Sequence, residues 1–320
     1  MPTILIALGA NLGDRGETLL EAIDQLAADP AFTLLQRSEL LVTKPVGGPA
    51  GQPDFLNAAA KLATELSPDQ VHQKLIDIEQ QHGRVRKQRW GARKLDLDLL
   101  LYDDQVIATP SLTVPHPRMS FRKFVMQPSA EVAAEMVHPT LHASIGELWQ
   151  QLQSAPPLVE IASLPGPVLH VLCERVAAEL GDDVVSHPND LWANLKEDAT
   201  LEGTLRSIAD RGSEWSNLPP GHAVRIVPWW QATSEVIAPD LVCPSQETTG
   251  ARLVVFWKRP DDTFSEAEGT WWDGPQRELL QENLAQKVED RVRGPRLWLD
   301  GNDIDSAVTE VAAAIQAILD

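Results

Sequence analysis

Apolar and polar positions fall into blocks whose period changes along the chain. Thr3–Leu8 is an apolar run of strand length, and Leu19, Leu20, Ile23 and Leu26 then recur at helical spacing, which predicts a helix over Gly16–Ala28. Thr33–Thr43 and Phe55–Glu65 read as two further strands joined by a long loop rich in glycine and proline. Ser67-Pro68-Asp69-Gln70 has the composition of a helix start, with proline at the first helical position, and Val71, Leu75, Ile76 and Ile78 supply an apolar face as far as Gln81. Leu95–Tyr102 is the next strand. Alternation puts Leu95, Leu97 and Leu99 on one face, so Asp96 and Asp98 share the other. The order strand-helix-strand-strand-helix-strand predicts an α+β domain, a ferredoxin-like antiparallel sheet with helices packed on one face. The opposite face is then free for loops to close over.

Later in the chain the pattern changes. Pro167–Cys173, Ala223–Trp229, Arg252–Lys258 and Arg296–Asp300 are short apolar runs of strand type. Helical patterns cover Gln276–Val292 and Ile304–Leu319, the latter with Val308, Val311, Ala312, Ile315 and Leu319 on one face. Strands alternating with helices predict an α/β domain with a parallel sheet. Ser154-Ala155-Pro156-Pro157, followed by Leu164-Pro165-Gly166-Pro167, breaks both helix and strand and reads as the linker. The expected domains are 1–156 and 157–320.

Charge and composition sharpen that division. The 320 residues carry a net charge of −19. Residues 1–156 hold 14 basic and 18 acidic side chains, net −4, whereas residues 157–320 hold 13 and 28, net −15. Eight of the ten tryptophans also lie after residue 157, where Trp229-Trp230 and Trp271-Trp272 could be stacking platforms, although one ring of each pair in the core is the plainer reading. Such acidity argues against nucleic-acid binding, which needs a net basic face. No run reaches the roughly 18 apolar residues of a membrane span, and no basic segment precedes the short apolar start, so neither a span nor a signal peptide is expected. Cys173 and Cys243 form no disulfide framework and lack metal-ligand spacing. The expectation is a cytoplasmic protein.

The candidate chemistry is concentrated in one segment. Six cations, Arg84, Arg86, Lys87, Arg89, Arg93 and Lys94, fall within eleven positions, just ahead of Asp96 and Asp98. Two aspartates side by side repel unless a cation lies between them, and Mg²⁺ shared with substrate phosphates is a natural choice. The upstream cations would neutralise the rest of a polyphosphate, so the segment reads as a nucleoside-triphosphate site. Taken alone, the same run also reads as a solvated basic loop before an edge strand.

Four motifs in order change that balance. Ala7-Leu8-Gly9-Ala10-Asn11-Leu12-Gly13-Asp14-Arg15, then Thr43-Lys44-Pro45-Val46-Gly47 through Gly51-Gln52-Pro53-Asp54-Phe55-Leu56-Asn57-Ala58, then the Arg84-to-Asp98 block, then Val114-Pro115-His116-Pro117 with Arg122 and Phe124, closely resemble the 6-hydroxymethyl-7,8-dihydropterin pyrophosphokinase family. The resemblance covers residues 1 to about 152. It implies transfer of pyrophosphate from MgATP to 6-hydroxymethyl-7,8-dihydropterin, giving AMP and the pterin diphosphate in folate biosynthesis. It also implies the ferredoxin-like fold and two Mg²⁺ ions held by Asp96 and Asp98. Arg84 and Arg93 join that pair as catalytic residues. Arg84, Arg86, Arg89, Trp90, Arg93, His116 and Arg122 would bind ATP, with Arg86, Arg89 and Trp90 in a mobile closing loop. Phe55 and Phe124 would sandwich the pterin, Asn57 would meet its edge, and Thr43, Pro45 and Val46 would complete its recognition.

Some positions depart from the family pattern. Pro117 follows the histidine where an aromatic or other residue often stands, Lys123 precedes Phe124 where some members have glycine, and the loop holding Arg89 is one residue shorter than in some members. None of these touches the aspartates, Asn57 or the two phenylalanines. Neither G-x-x-x-x-G-K-[ST] nor G-x-G-x-x-G occurs in the chain. Gly294–Asp303 and the following helix faintly resemble the end of deoxynucleoside-kinase-like domains, which, without a phosphate loop after Pro167–Cys173, would imply a degenerate P-loop kinase. A different class of reading stays open: a non-catalytic pterin- or nucleotide-binding scaffold whose second half carries the main activity.

Overall fold

The computed structural model describes residues 1–49, 51–83, 91–164, 167–181, 184–186, 224–228, 251–260, 274–301 and 303–319. The chain divides into two compact units, one spanning Met1–Ser154 and the other Ala155–Ile315.

The first unit opens with strand β1 (Thr3–Ala10), helix α1 (Arg15–Ala28), β2 (Phe32–Arg37), β3 (Leu41–Thr43), β4 (Phe55–Thr64), α2 (Pro68–Gln81) and β5 (Asp96–Tyr102). Its antiparallel sheet runs β2-β4-β1-β5, with β3 also paired to β4. The helix starts follow from local chemistry. Gly13 takes a φ of +71°, which a side chain would resist, and Asp14 then caps α1 by accepting from the Glu17 N–H. Ser67 and Gln70 form a reciprocal capping box on α2, with Pro68 in the first turn.

Both helices cover one face of the sheet. Leu19, Ala22, Ile23 and Leu26 of α1 and Val71 and Leu75 of α2 pack with Ile4, Ile6, Leu8, Ala58, Ala60, Leu62, Leu95, Leu97 and Leu99. Leu20, expected on the buried side of α1, is 37% exposed, and Ala22 lies inside instead. The expected single strand Thr33–Thr43 is two strands. A register shift falls between Leu34 and Gln36, and Ser38 turns inward to accept the Ala59 N–H on its hydroxyl, which ends β2 before β3 begins.

The other face is not free, contrary to the sequence expectation. After β6 (Ile107–Ala108) and β7 (Thr113–Val114), helix α3 (Lys123–Ala133) lies against β4 and β1 on the side away from α1 and α2. Its buried Val125, Met126, Ser129, Val132 and Ala133 have helical spacing, but Pro128 interrupts the pattern in sequence. The short pair β8 (Val137–His138) and β9 (Ala143–Ser144) leads to α4 (Ile145–Ser154), which packs on α3.

The second unit contains β10 (Leu158–Ala162), α5 (Pro167–Leu180), β11 (Val184–Ser186), β12 (Val224–Pro228), β13 (Leu253–Lys258), α6 (Gly274–Arg291), β14 (Arg296–Asp300) and α7 (Ile304–Leu319). Its strands run in the order β11-β12-β10-β13-β14, and every pairing is parallel. Pro167–Cys173, read as a strand, is the start of α5. Leu169, Leu172, Cys173 and Val176 are buried at helical spacing, and the apolar run was cut short in sequence by the exposed Glu174 and Arg175. The paired tryptophans Trp229-Trp230 and Trp271-Trp272 lie outside the described residues. No helix among the described residues is long and apolar enough to cross a membrane.

Strand β10 sits in what read as linker, because Glu160 interrupts its apolar run. Glu160 is 5% exposed, and its Oε2 finds no hydrogen-bond partner. Burial pushes its carboxyl up to about 8, so the folded chain holds a proton that the unfolded chain releases above about 4.5. Stability from this group is therefore present at low pH and lost as pH rises from about 4.5 through about 8. Glu160→Gln is expected to raise the melting temperature at about pH 8.5 and leave it nearly unchanged at about pH 5, read by circular dichroism. An equal shift at both values would show that this proton is not responsible.

Candidate active site

The register of the first sheet builds the site. Gly9 on β1 is paired with Asn57 on β4 and with Asp96 on β5, while Ala7 is paired with Ala59 and Asp98. A row of Asn57, Gly9 and Asp96 therefore crosses three strands on one face. The central strand contributes only small residues there. A Cβ added to Gly9 would lie 3.3 Å from the Asn57 Oδ1, so glycine gives the amide and the carboxylate an open floor between them. Thr43 is paired with Phe55, and the Asn57 Nδ2 donates to the Thr43 Oγ1 at 2.9 Å.

A cleft of about 240 Å³ opens above this row. That is slightly below the roughly 300–1,000 Å³ usual for small-molecule pockets. Thr43, Val46, Phe55, Asn57, Arg93, Asp96, Asp98, His116, Arg122 and Phe124 all line it, so most residues singled out in the sequence converge. Pro45 does not line the cleft, and Arg84, Arg86, Arg89 and Trp90 lie outside the described residues.

Charges are arranged in two facing sets. The Arg93 Nη1 donates to the Asp96 Oδ2 at 2.5 Å, and the His116 Nε2 lies 4.0 Å from the Asp98 Oδ2. The Arg122 guanidinium is 5.6 Å from the centre of the Phe124 ring. Burial, and then the neighbouring Arg118, lowers the Arg122 guanidinium to about 10, which leaves it cationic near neutral pH. Burial, followed by Arg122 and Arg118, pulls the His116 imidazole down to about 3. His116 is thus neutral at physiological pH. Its Nδ1 accepts the Arg118 N–H at 3.2 Å, so the remaining proton belongs on Nε2, facing the carboxylates.

The donor set also answers which metal could be held. No group of three or more His, Cys, Asp or Glu among the described residues could cage an ion. Two carboxylates on one strand face, one of them already bonded to a guanidinium, suit Mg²⁺ that takes its remaining ligands from phosphate and water.

Several lining residues were not singled out in the sequence. Arg118 stands two residues after His116, Gln52 follows the loop glycine Gly51, and Lys44 pairs with Asp54 at 3.0 Å. Asn11, quoted only as part of a motif, is a buried tie. Its Oδ1 accepts the Arg93 N–H at 2.7 Å, and its Nδ2 reaches the Pro53 carbonyl at 3.4 Å and the Gln52 Oε1 at 3.5 Å. It joins the segment carrying Arg93 to the loop before Phe55. An asparagine that both donates and accepts beside a turn was the available signal.

Comparison with known proteins gives the family. Residues 5–134 match the family described as 7,8-dihydro-6-hydroxymethylpterin-pyrophosphokinase (HPPK). A 2-amino-4-hydroxy-6-hydroxymethyldihydropteridine pyrophosphokinase from Haemophilus influenzae is 44% identical over 139 residues, covering 43% of this chain and 86% of that protein. One of the same name from Pseudomonas aeruginosa is 40% identical over 163 residues, covering 51% of this chain and 97% of the relative. A third, from Bacillus subtilis, is 39% identical over 150 residues, with 46% and 89% covered. The match spans the strands, the cleft residues and both aspartates, and with nearly whole relatives aligned at such identity the chain belongs to the 7,8-dihydro-6-hydroxymethylpterin-pyrophosphokinase family.

Proposed function

We propose that the chain transfers a pyrophosphoryl group from ATP to 6-hydroxymethyl-7,8-dihydropterin, releasing AMP, in folate biosynthesis. The hydroxymethyl oxygen forms a bond to the β-phosphorus as the bond from that phosphorus to the α,β-bridging oxygen breaks, and the hydroxyl proton is released. No covalent enzyme intermediate is needed, so the residues work by positioning and by charge. The observation that carries this reading is the convergence, in one cleft, of two carboxylates, a cationic set and two phenylalanines around Asn57.

Phe55 and Phe124 flank the flat pterin ring, and the Asn57 amide meets its edge with one donor and one acceptor, assisted by Thr43 and the backbone at Pro45 and Val46. Arg93, His116, Arg118 and Arg122 hold the triphosphate. The His116 Nε2–H donates to a phosphate oxygen without adding charge. We extend the ATP set to Arg84, Arg86, Arg89 and Trp90 on the sequence resemblance, with the last three closing over bound substrate to keep water from competing as acceptor. Asp96 and Asp98 would hold Mg²⁺, which we take to be two ions and which, when bound, polarises the transferred group and the attacking oxygen.

The strand order β2-β4-β1-β5, all antiparallel, supports a ferredoxin-like core for residues 1–156. Residues 157–320 then form a separate α/β domain that phosphorylates no nucleoside, for want of a phosphate loop. The scaffold alternative is disfavoured by the complete set of carboxylates and cations.

The direct test is AMP release from ATP and Mg²⁺ with purified full-length protein, with and without the pterin alcohol. AMP is expected only when the pterin is present. No AMP under those conditions sinks the enzymatic reading. A chain ending near Gln153 should keep turnover within a few-fold if the two domains are independent.

A further inference from the structure

The buried face of α2 carries one residue out of character. Val71, Leu75 and Glu79 lie four residues apart and are all buried, with Glu79 2% exposed, so a carboxylate occupies the third position of an apolar stripe. A carboxylate in such a place costs stability unless it is bonded. Its Oε1 accepts the backbone N–H of Leu97 at 2.7 Å.

Leu97 is the residue between Asp96 and Asp98. Among the described residues strand β5 pairs in its sheet with β1 alone, so the amide groups on its outer side draw their partners from outside the sheet ladder. Glu79 supplies a partner to one of those groups from a helix. The bond fixes the peptide segment that carries both carboxylates, while the Leu97 side chain, 5% exposed, anchors it in the core that α2 covers. Residue 97 is thereby held by both its backbone and its side chain at the point where a small rotation would move both aspartates.

We propose that Glu79 is a positioning residue for the Asp96–Asp98 pair, acting through the Leu97 amide to set the spacing in which the two carboxylates share Mg²⁺ with ATP. The inference rests on the pyrophosphokinase reading. Its essential feature is the reach of the acceptor oxygen to one N–H; the charge of Glu79 is secondary.

That distinction gives a crossed test. Glu79→Gln keeps an acceptor oxygen at the same reach without the charge, whereas Glu79→Asp keeps the charge and withdraws the oxygen by one methylene. Mg²⁺ binding to the full chain in the presence of α,β-methylene-ATP, measured by calorimetry, is expected to weaken about 10- to 100-fold in Glu79→Asp and only about two- to three-fold in Glu79→Gln. The Mg²⁺ concentration for half-maximal AMP release should shift in the same order, while pterin affinity measured without Mg²⁺ stays within about two-fold in both. Amide exchange at Leu97 should accelerate in Glu79→Asp alone. The proposal is overturned if Glu79→Asp matches wild type while Glu79→Gln fails. It is equally overturned if both variants lose melting temperature with unchanged Mg²⁺ dependence, which would make Glu79 a core residue only. Failure of the enzymatic reading is distinguishable, since the wild-type chain would then release no AMP.

Discussion

Asp98→Ala is expected to reduce kcat by roughly 10²- to 10⁴-fold at saturating Mg²⁺ and ATP, with little change in melting temperature. The magnitude follows from what the carboxylate supplies: charge stabilisation through a shared metal is worth several kcal/mol at the transition state, and each 1.36 kcal/mol is about tenfold in rate. The thermal expectation follows from geometry, because the Asp98 side chain is 40% exposed on the cleft side of an edge strand and the His116 ring lies 4.0 Å from it. That ring is neutral, and the buried Arg122 guanidinium, which Asp98 favours electrostatically, keeps Asp96 as a second carboxylate partner when Asp98 goes. Asp96→Ala should be as damaging to turnover but different in kind. It also releases the Arg93 guanidinium from its 2.5 Å bond, so a rise in the KM for ATP should accompany the loss of kcat. Steady-state AMP release with a thermal melt of each variant checks both expectations. Turnover of Asp98→Ala within a few-fold of wild type would make the pair structural.

Why this site was legible before the fold was seen can be traced residue by residue. Asp96 and Asp98 were separable from Leu95, Leu97 and Leu99 because strand alternation has a strict period of two, and a single buried face fixes it. Convergence across strands was not legible in that way. That Gly9 lies between Asn57 and Asp96 depends on the register of β1 against β4 and β5, which no local pattern states. The motif order supplied it indirectly. Asn11 and Glu79 escaped because their partners are backbone groups of Arg93 and Leu97, many residues away. A buried polar side chain that bonds to backbone looks, in sequence, like any polar residue on a turn or helix.

Misreadings of the fold have a common physical cause. Helix α3 was missed because Pro128 breaks the helical pattern, and β10 because Glu160 breaks an apolar run. Each carries a residue whose propensity or polarity opposes its element, and tertiary packing overrides the local preference. Helix α5 was misread for the opposite reason. Its first seven residues are so uniformly apolar that period could not separate helix from strand, and only the buried Val176 beyond the charged pair completes the helical stripe. Missing α3 mattered most for the site, since Phe124 and Val125 at its start wall the cleft.

Asn57→Leu is expected to weaken pterin binding by roughly 10²- to 10³-fold while leaving ATP affinity near that of wild type. Asn57 is 6% exposed, so water cannot replace its amide once the ring is bound. Leucine of similar volume fills the space but leaves the donor and acceptor on the pterin edge unpaired, at about 1–3 kcal/mol for each group. The Thr43 hydroxyl also loses the 2.9 Å bond from the Asn57 amide, so part of the loss comes from a loosened wall. Asn57→Asp separates these contributions. It keeps an acceptor beside Thr43 but removes the donor, and through the paired Gly9 it sets a second carboxylate on the row that ends in Asp96. Pterin affinity should fall again, and the Mg²⁺ requirement should change as well, because the added negative charge faces Asp96 and Asp98, the pair proposed to hold the metal, across one strand. Titration of the pterin by fluorescence, with α,β-methylene-ATP and Mg²⁺ present, measures both variants directly. If Asn57→Leu binds pterin within about three-fold of wild type, the ring edge is read elsewhere in the cleft, and Thr43 and Gln52 become the residues to replace next.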